Sequence, residues 1–360
     1  MKKNVNKLIS AFLAFVTLLG MLPPAIVFAV DATEPQADSD GVYQIGTAED
    51  LLWFQQQVSN GNTTANAVLT ADIDLSTVCG KTAGSWTAIP AYGGTFDGQG
   101  HKISNLYISG ATVAKQGLFA ELSATGVIQN VGLSYSSVSM TSEKKVNNPY
   151  AAILVGYNDN GQIINCHVED SLVETNARLM AKSGAICGND NGGKIINCYS
   201  INNIITELNN KHQIGGICGY SKGTIENCYV VNTPLTTTST NAAVQSICGA
   251  STSATVINCY YSVEGKSDDK ATAKTDEWFK SDDAIVALGS KYFAKDTENI
   301  NDGYPILTFA KYGVDKELLE QALSEALPAQ ENYYTEDDRW NGVETSINGF
   351  WADMYAIIQP

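Results

Sequence analysis

Between Ile153 and Cys259 the chain alternates short aliphatic runs with polar, glycine-rich breaks on a fixed period. The runs Ile163-Ile164, Ile195-Ile196, Ile225-Glu226 and Val256-Ile257 each lead into an Asn-Cys pair: Asn165-Cys166, Asn197-Cys198, Asn227-Cys228 and Asn258-Cys259. The asparagines are 32, 30 and 31 residues apart. Upstream of each pair a second run ends in glycine: Ile153-Leu154-Val155-Gly156, Ala185-Ile186-Cys187-Gly188, Gly216-Ile217-Cys218-Gly219 and Ser246-Ile247-Cys248-Gly249. These glycines are 32, 31 and 30 residues apart, so the two elements keep step. Turn chemistry lies between them, Asn158-Asp159-Asn160-Gly161 in one copy and Asn189-Asp190-Asn191-Gly192 in the next. Each unit reads strand, turn, strand.

Units this small cannot bury an apolar face alone, so a repeat of this length predicts a solenoid in which each copy stacks on the next. The stack predicts parallel ladders along its axis. It also predicts that the recurrent asparagines form a ladder of amides at a bend, although Asn as a plain turn former remains the alternative. Two looser copies precede the four close ones, around Gly94 to Leu106 and Gly117 to Leu133.

In their order these motifs resemble the GLUG-motif family of extracellular bacterial proteins. The likeness includes Tyr43 to Leu51, Leu69 to Leu75, Gly117-Leu118-Phe119-Ala120 and Asn299 to Leu307. Ala120 departs from it, as do the cysteines at 187, 218 and 248 that stand in aliphatic positions. The resemblance implies a mainly β chain, a right-handed parallel β-helix with helical caps on secreted, adhesin-like proteins, and no catalytic residue to carry over.

Caps are expected because open solenoid ends expose strand edges. Thr47-Ala48-Glu49-Asp50 predicts a capped helix through Ser59, and Asp276 to Leu288 a second one that closes the far side, followed by a strand from Tyr304 to Phe309. Residues 1–29 read as a signal peptide, with Lys2, Lys3 and Lys7 before the apolar run Leu8 to Leu19. The expected organisation is then a linker over 30–40, a capped β-helix over 41–310 and a small α-helical segment over 311–360. That segment resembles part of the FIVAR-type helical bundles of surface proteins, which suggests a piece of a longer protein. After signal removal no membrane span is expected.

The 22 basic and 38 acidic residues give a net charge of −16, concentrated after Val263. This argues against a nucleic-acid partner. Candidate chemistry is sparse. Gly219-Tyr220-Ser221-Lys222-Gly223 matches a hydrolase pattern, but Ser221 occupies the turn of a repeat. His101, His167 and His212 lack paired metal-ligand spacing. Asp97 to His101 is like the turn of β-helical pectinolytic enzymes without their clustered carboxylates, and Asp296 to Gly303 resembles a calcium loop with Ile300 where a ligand is needed. The eight cysteines allow disulfides within each copy, such as Cys187 to Cys198, or columns of free thiols. The expectation is a secreted or cell-surface attachment module binding glycan or protein, with no enzyme activity, catalytic set, metal or cofactor. A β-helical carbohydrate-active enzyme and a structural spacer are the alternatives.

Overall fold

In the computed structural model, residues 31–308 are described, apart from 112, 143–148, 178–179, 209–211 and 252. The expected signal peptide and the FIVAR-like segment lie outside the described residues. The chain is mainly β, a parallel β-solenoid of about six turns.

Each full turn contributes five short strands rather than two. In the turn that begins at Tyr150 they are Tyr150–Ala151, Val155–Asn158, Gln162–Ile164, His167–Glu169 and Leu172–Ala177. Stacked on equivalent strands of neighbouring turns, these belong in chain order to what we term sheets D, E, A, B and C. Sheets A and B have eight strands each and sheets C, D and E five each. Pairing is parallel and in register, so Ile163 lies on Ile195 and Ile195 on Ile225, all fully buried. Neighbouring turns are therefore about 4.8 Å apart, and like side chains form continuous columns.

Two bends per turn rest on residues in the left-handed region, where Asn and Asp cost least after Gly. The A-to-B bend uses Asn130, Asn165, Asn197, Asn227 and Asn258, with φ between 48° and 54°. The B-to-C bend uses Asn105, Tyr135, Asp170, Asn202 and Asn232, a second column with no single residue type. At Asp170, burial first and then the Glu169 carboxylate push the carboxyl up to about 6. A raised acid means that the charged form costs stability above about 6, and that this cost fades as the pH falls towards the ordinary value of 3.8. Asp170→Asn, which copies Asn202 and Asn232, is expected to raise stability by about 1–3 kcal/mol at pH 7.5 in urea titrations. The gain should shrink at pH 4.5; an equal gain at both values would assign it to backbone preference instead.

Helix α1, Ala48–Ser59, carries the expected capping box: the Asp50 amide donates to Thr47 Oγ1 at 3.1 Å and the Thr47 amide to Asp50 Oδ2 at 3.0 Å. It buries Leu51, Phe54 and Val58, with the Phe54 ring 5.9 Å from both Tyr92 and Phe96. The C-terminal expectation needs correction. Asp276 to Leu288 is two helices, α2 (Asp276–Phe279) and α3 (Asp282–Leu288), because Lys280 ends the first and Ser281 starts the second. They do not close the end. Together with an antiparallel pair, Phe293–Ala294 on Ile306–Leu307, they cover the outer face of sheet B, where Phe279, Leu288 and Phe293 pack with Tyr199, Ile201, Tyr229 and Val231. The edge is satisfied by the loop after Ser262 instead: Asp268 Oδ2 accepts the amides of Ile247 and Cys248, and the Lys270 ammonium donates to the carbonyls of Ser251 and Ala254.

Candidate functional site

The recurrent asparagines run from the interior of the coil to its C-terminal end: Asn130, Asn165 and Asn197 are buried, Asn227 is half-buried and Asn258 is exposed. Asn258 Nδ2 donates to Asn227 Oδ1 at 3.1 Å, Asn227 to Asn197 at 3.0 Å, Asn197 to Asn165 at 2.8 Å and Asn165 to Asn130 at 2.9 Å. All the amides point the same way, so the last of them needs an acceptor. The ladder ends on Asp97, whose carboxylate takes Asn130 Nδ2 at 3.0 Å and Gln129 Nε2 at 2.9 Å. The catalytic look of the Asp97 turn thus has a structural cause.

The eight cysteines are free and buried. Cys166, Cys198, Cys228 and Cys259 follow the bend asparagines, and each thiol meets the carbonyl two residues earlier at 3.2 Å. Cys187, Cys218 and Cys248 form a different column in sheet E. Pairing within a copy, Cys187 to Cys198, is not made, because its two members stand in separate columns. Burial pushes the thiols of Cys198, Cys218, Cys228, Cys248 and Cys259 well up, and that of Cys79 to about 11, so the reactive thiolate is suppressed. Gly156, Gly188, Gly219 and Gly249 stand where sheets D and E press backbone against backbone.

The remaining candidates are also engaged. The Ser221 hydroxyl is fully buried and donates to Asp190 Oδ2 at 2.6 Å, while Asp190 Oδ1 holds Asn158 and the Gly193 amide. Asp296 takes the amides of Ile300, Asn301 and Gly303 within its own loop. His101 pairs with Asp72 at 3.1 Å. The His167 ring stacks on Tyr199 at 4.7 Å and Tyr199 on Tyr229 at 5.0 Å, beneath the C-terminal segment. His212 sits beside Glu207, both fully buried, with Nδ1 to Oε2 at 3.1 Å. Burial holds the imidazoles of His167 and His212 down at about 4, so both are neutral at pH 7. Among the described residues no three His, Cys, Asp or Glu side chains converge as a metal set.

What the solenoid turns outward is a different group. Register places Lys115, Tyr150, Lys182 and Gln213 in one column of sheet D, and Glu121, Tyr157, Asn189 and Tyr220 in one column of sheet E. The columns lie side by side. Tyr150 and Tyr157 stack with centroids 5.4 Å apart and an interplanar angle of 17°. The Lys115 ammonium lies 4.3 Å from the centre of the Tyr157 ring and pairs with Glu121. Lys182 lies 5.2 Å from the Tyr150 ring and 4.0 Å from Tyr220, and donates to Asn189 Oδ1 at 2.9 Å. All three tyrosines remain half-exposed. Beyond Lys182 the sheet D column continues through Gln213 into an open recess of about 500 Å³, lined by Met180, His212, Gln213, Asn241 and Ala243. Flat rings held rigid beside cations and amides can stack on apolar faces while bonding polar groups at their rims.

No protein-family model matches the chain. Over 177 residues it is 29% identical to halomucin of Haloquadratum walsbyi, a stretch that covers 46% of this chain and 2% of halomucin. Its fold is similar to that of a Bacteroides ovatus protein provisionally assigned as an immunoglobulin A1 protease, with a TM-score of 0.52 and 19% identity over 78% of this chain and 96% of that one. At that identity the likeness is one of fold.

The outward Tyr-Lys group escaped the sequence reading. Tyr199, Tyr229 and Tyr260 do recur at one repeat position, but the first two are buried. Tyr157 and Tyr220 share a position that Asn189 and Ala250 fill in the other copies, and Tyr150 stands in a different sheet. The available signal was that Tyr157 and Tyr220 each directly follow a repeat glycine, Gly156 and Gly219, by one residue.

Proposed function

We propose that this chain is a secreted attachment module of the adhesin type, bacterial in kind, whose solenoid presents the outer face of sheets D and E to a glycan. The observation that carries the reading is the cluster of Tyr150, Tyr157 and Tyr220 with Lys115 and Lys182, half-exposed on a flank that no other described segment covers. Elsewhere the chain covers such rings, as Tyr199 and Tyr229 are covered by α2 and α3. Secretion is supported by the charged and then apolar start of the sequence. Kinship with a stretch of halomucin supports a place as one module of a longer surface protein. We read the module as non-enzymatic, since Ser221, Asp97, Asp190 and Asp296 are each committed to hydrogen bonds that hold turns.

The neighbour in Bacteroides ovatus gives the competing reading, a hydrolase on a solenoid scaffold. A glycan array probed with the purified chain, run beside assays for fragment release from immunoglobulin A1 and from pectin-like polysaccharides, separates the two. Retention of defined glycans without release of fragments is the expected result. Turnover of either substrate would overturn the attachment reading.

A further inference from the structure

We infer that the ligand of this face is an acidic polysaccharide, its carboxylate or sulfate groups held at Lys182 and its sugar rings laid on Tyr150, Tyr157 and Tyr220. The inference rests on the glycan-binding reading above and adds the charge of the glycan. It starts from an imbalance at Lys182. Four other lysines meet carboxylates, Lys102 with Glu169, Lys115 with Glu121, Lys280 with Asp276 and Lys295 with Asp282, while Lys270 is held by the carbonyls of Ser251 and Ala254 and Lys274 lies over the Trp278 ring. Among the described residues no carboxylate pairs with Lys182. Its ammonium is held between two tyrosine rings and the Asn189 carbonyl oxygen.

That arrangement is costly for the free protein. Burial holds the ammonium below its ordinary range, and Lys222 pushes in the same direction. A partly dewatered cation without a counter-ion is stabilised by whatever anion reaches it. Acids are not scarce, since 38 of them stand against 22 bases in the chain. Two carboxylates close to Tyr157 are otherwise engaged, Glu121 by Lys115 and Asp159 by the side-chain amides of Asn160 and Asn191. The Lys222 ammonium, 3.3 Å from Asn191 Oδ1, extends the positive spot towards the neighbouring turn.

The spacing suits a linear polymer. Tyr157, Asn189 and Tyr220 occupy successive turns of sheet E, so the two rings stand two turns apart, about 9–10 Å along the axis. A glycan running along the axis meets a ring, then the Lys182–Asn189 pair, then a second ring. The recess at Gln213 and Ala243, about 500 Å³, lies one turn further and has the size of a small-ligand pocket. A neutral glycan could stack on the rings but would leave Lys182 uncompensated.

The test is titration calorimetry of the full chain with polygalacturonate, heparin and dextran, at low and at physiological salt. The two acidic polymers are expected to bind, with affinity falling as salt rises, and dextran to bind at least tenfold more weakly. Lys182→Gln should cost at least tenfold for the acidic polymers. Lys295→Gln, which removes the same charge away from the face, should leave binding intact; melting curves confirm that both variants fold. Binding of polygalacturonate alone, or of heparin alone, supports the inference and names the anion as carboxylate or sulfate. Dextran bound as tightly as the acids, or Lys182→Gln behaving like Lys295→Gln, overturns the inference and leaves glycan attachment standing. Silence of the wild-type chain on the whole array removes the attachment reading beneath it.

Discussion

Gly219→Ala is expected to destroy the cooperative unfolding of the solenoid, with a loss of at least about 3 kcal/mol. A Cβ at Gly219 would stand 2.4 Å from the Ser183 nitrogen, 2.7 Å from the Gly188 oxygen and 2.8 Å from the Gln213 oxygen. All three are backbone atoms of sheets D and E, locked by parallel pairing to the turns on either side. A flexible side chain could move aside; a backbone fixed in two ladders cannot. The damage also falls inside the stack, one turn from its C-terminal end, where it uncouples the last turn from those before it. Gly265→Ala provides the comparison, because its tightest contact is the Ser246 hydroxyl, at 2.6 Å, whose displacement costs one hydrogen bond, to the Lys266 carbonyl, and moves no ladder backbone. Urea midpoints of the two variants should differ clearly. Equal midpoints would contradict the backbone-contact explanation of the glycine column.

The second large effect is expected at Asn197. This residue is fully buried, holds φ at 54°, donates to Asn165 and accepts from Asn227. Asn197→Ala removes both hydrogen bonds, leaves Asn165 Oδ1 and Asn227 Nδ2 without their partners in the ladder, and forces alanine into a left-handed conformation. The combined loss should be about 3–5 kcal/mol. Asn197→Gly relieves the backbone term and nothing else, so it should recover about 1 kcal/mol of that loss. Asn197→Asp retains the acceptor but has no Nδ2 group to donate to Asn165, and should be no better than alanine at pH 7. Thermal or urea unfolding of the three variants reads the order directly. A loss of only about 1 kcal/mol in the alanine variant, recovered in full by glycine, would reduce these asparagines to ordinary turn formers.

These sites also show how far the sequence was legible. The Asn, Cys and Gly columns recur because stacking in register imposes the same environment on each turn, and recurrence is visible without coordinates. The strand His167–Glu169 was missed because it is only three residues long, and Leu172–Ala177 because its buried face, Val173, Thr175 and Ala177, is partly polar. The second bend was hidden for a related reason: its left-handed position accepts Asn202, Asp170 and Tyr135 alike. The C-terminal helix pair was misplaced because an amphipathic segment declares that it buries an apolar face, not which surface receives it. Here the receiver is the ring stack of Tyr199 and Tyr229 on sheet B. Least legible was the Tyr-Lys face, since Tyr150 and Tyr157 meet across two sheets and only the closed coil brings them to 5.4 Å.

The central claim is that parallel, in-register stacking sorts the repeat residues into separate interior columns and leaves chemistry to the outer flank. Thiol counting tests it most directly, because within-copy disulfides would require Cys187 and Cys198, or Cys218 and Cys228, to leave their separate columns. With an aromatic disulfide reagent and no reductant, the folded chain should show almost no reactive thiol, and the chain unfolded in guanidinium should show all eight. Six or fewer after unfolding, with masses that locate a bridge between Cys187 and Cys198 or between Cys218 and Cys228, would contradict the stacked columns.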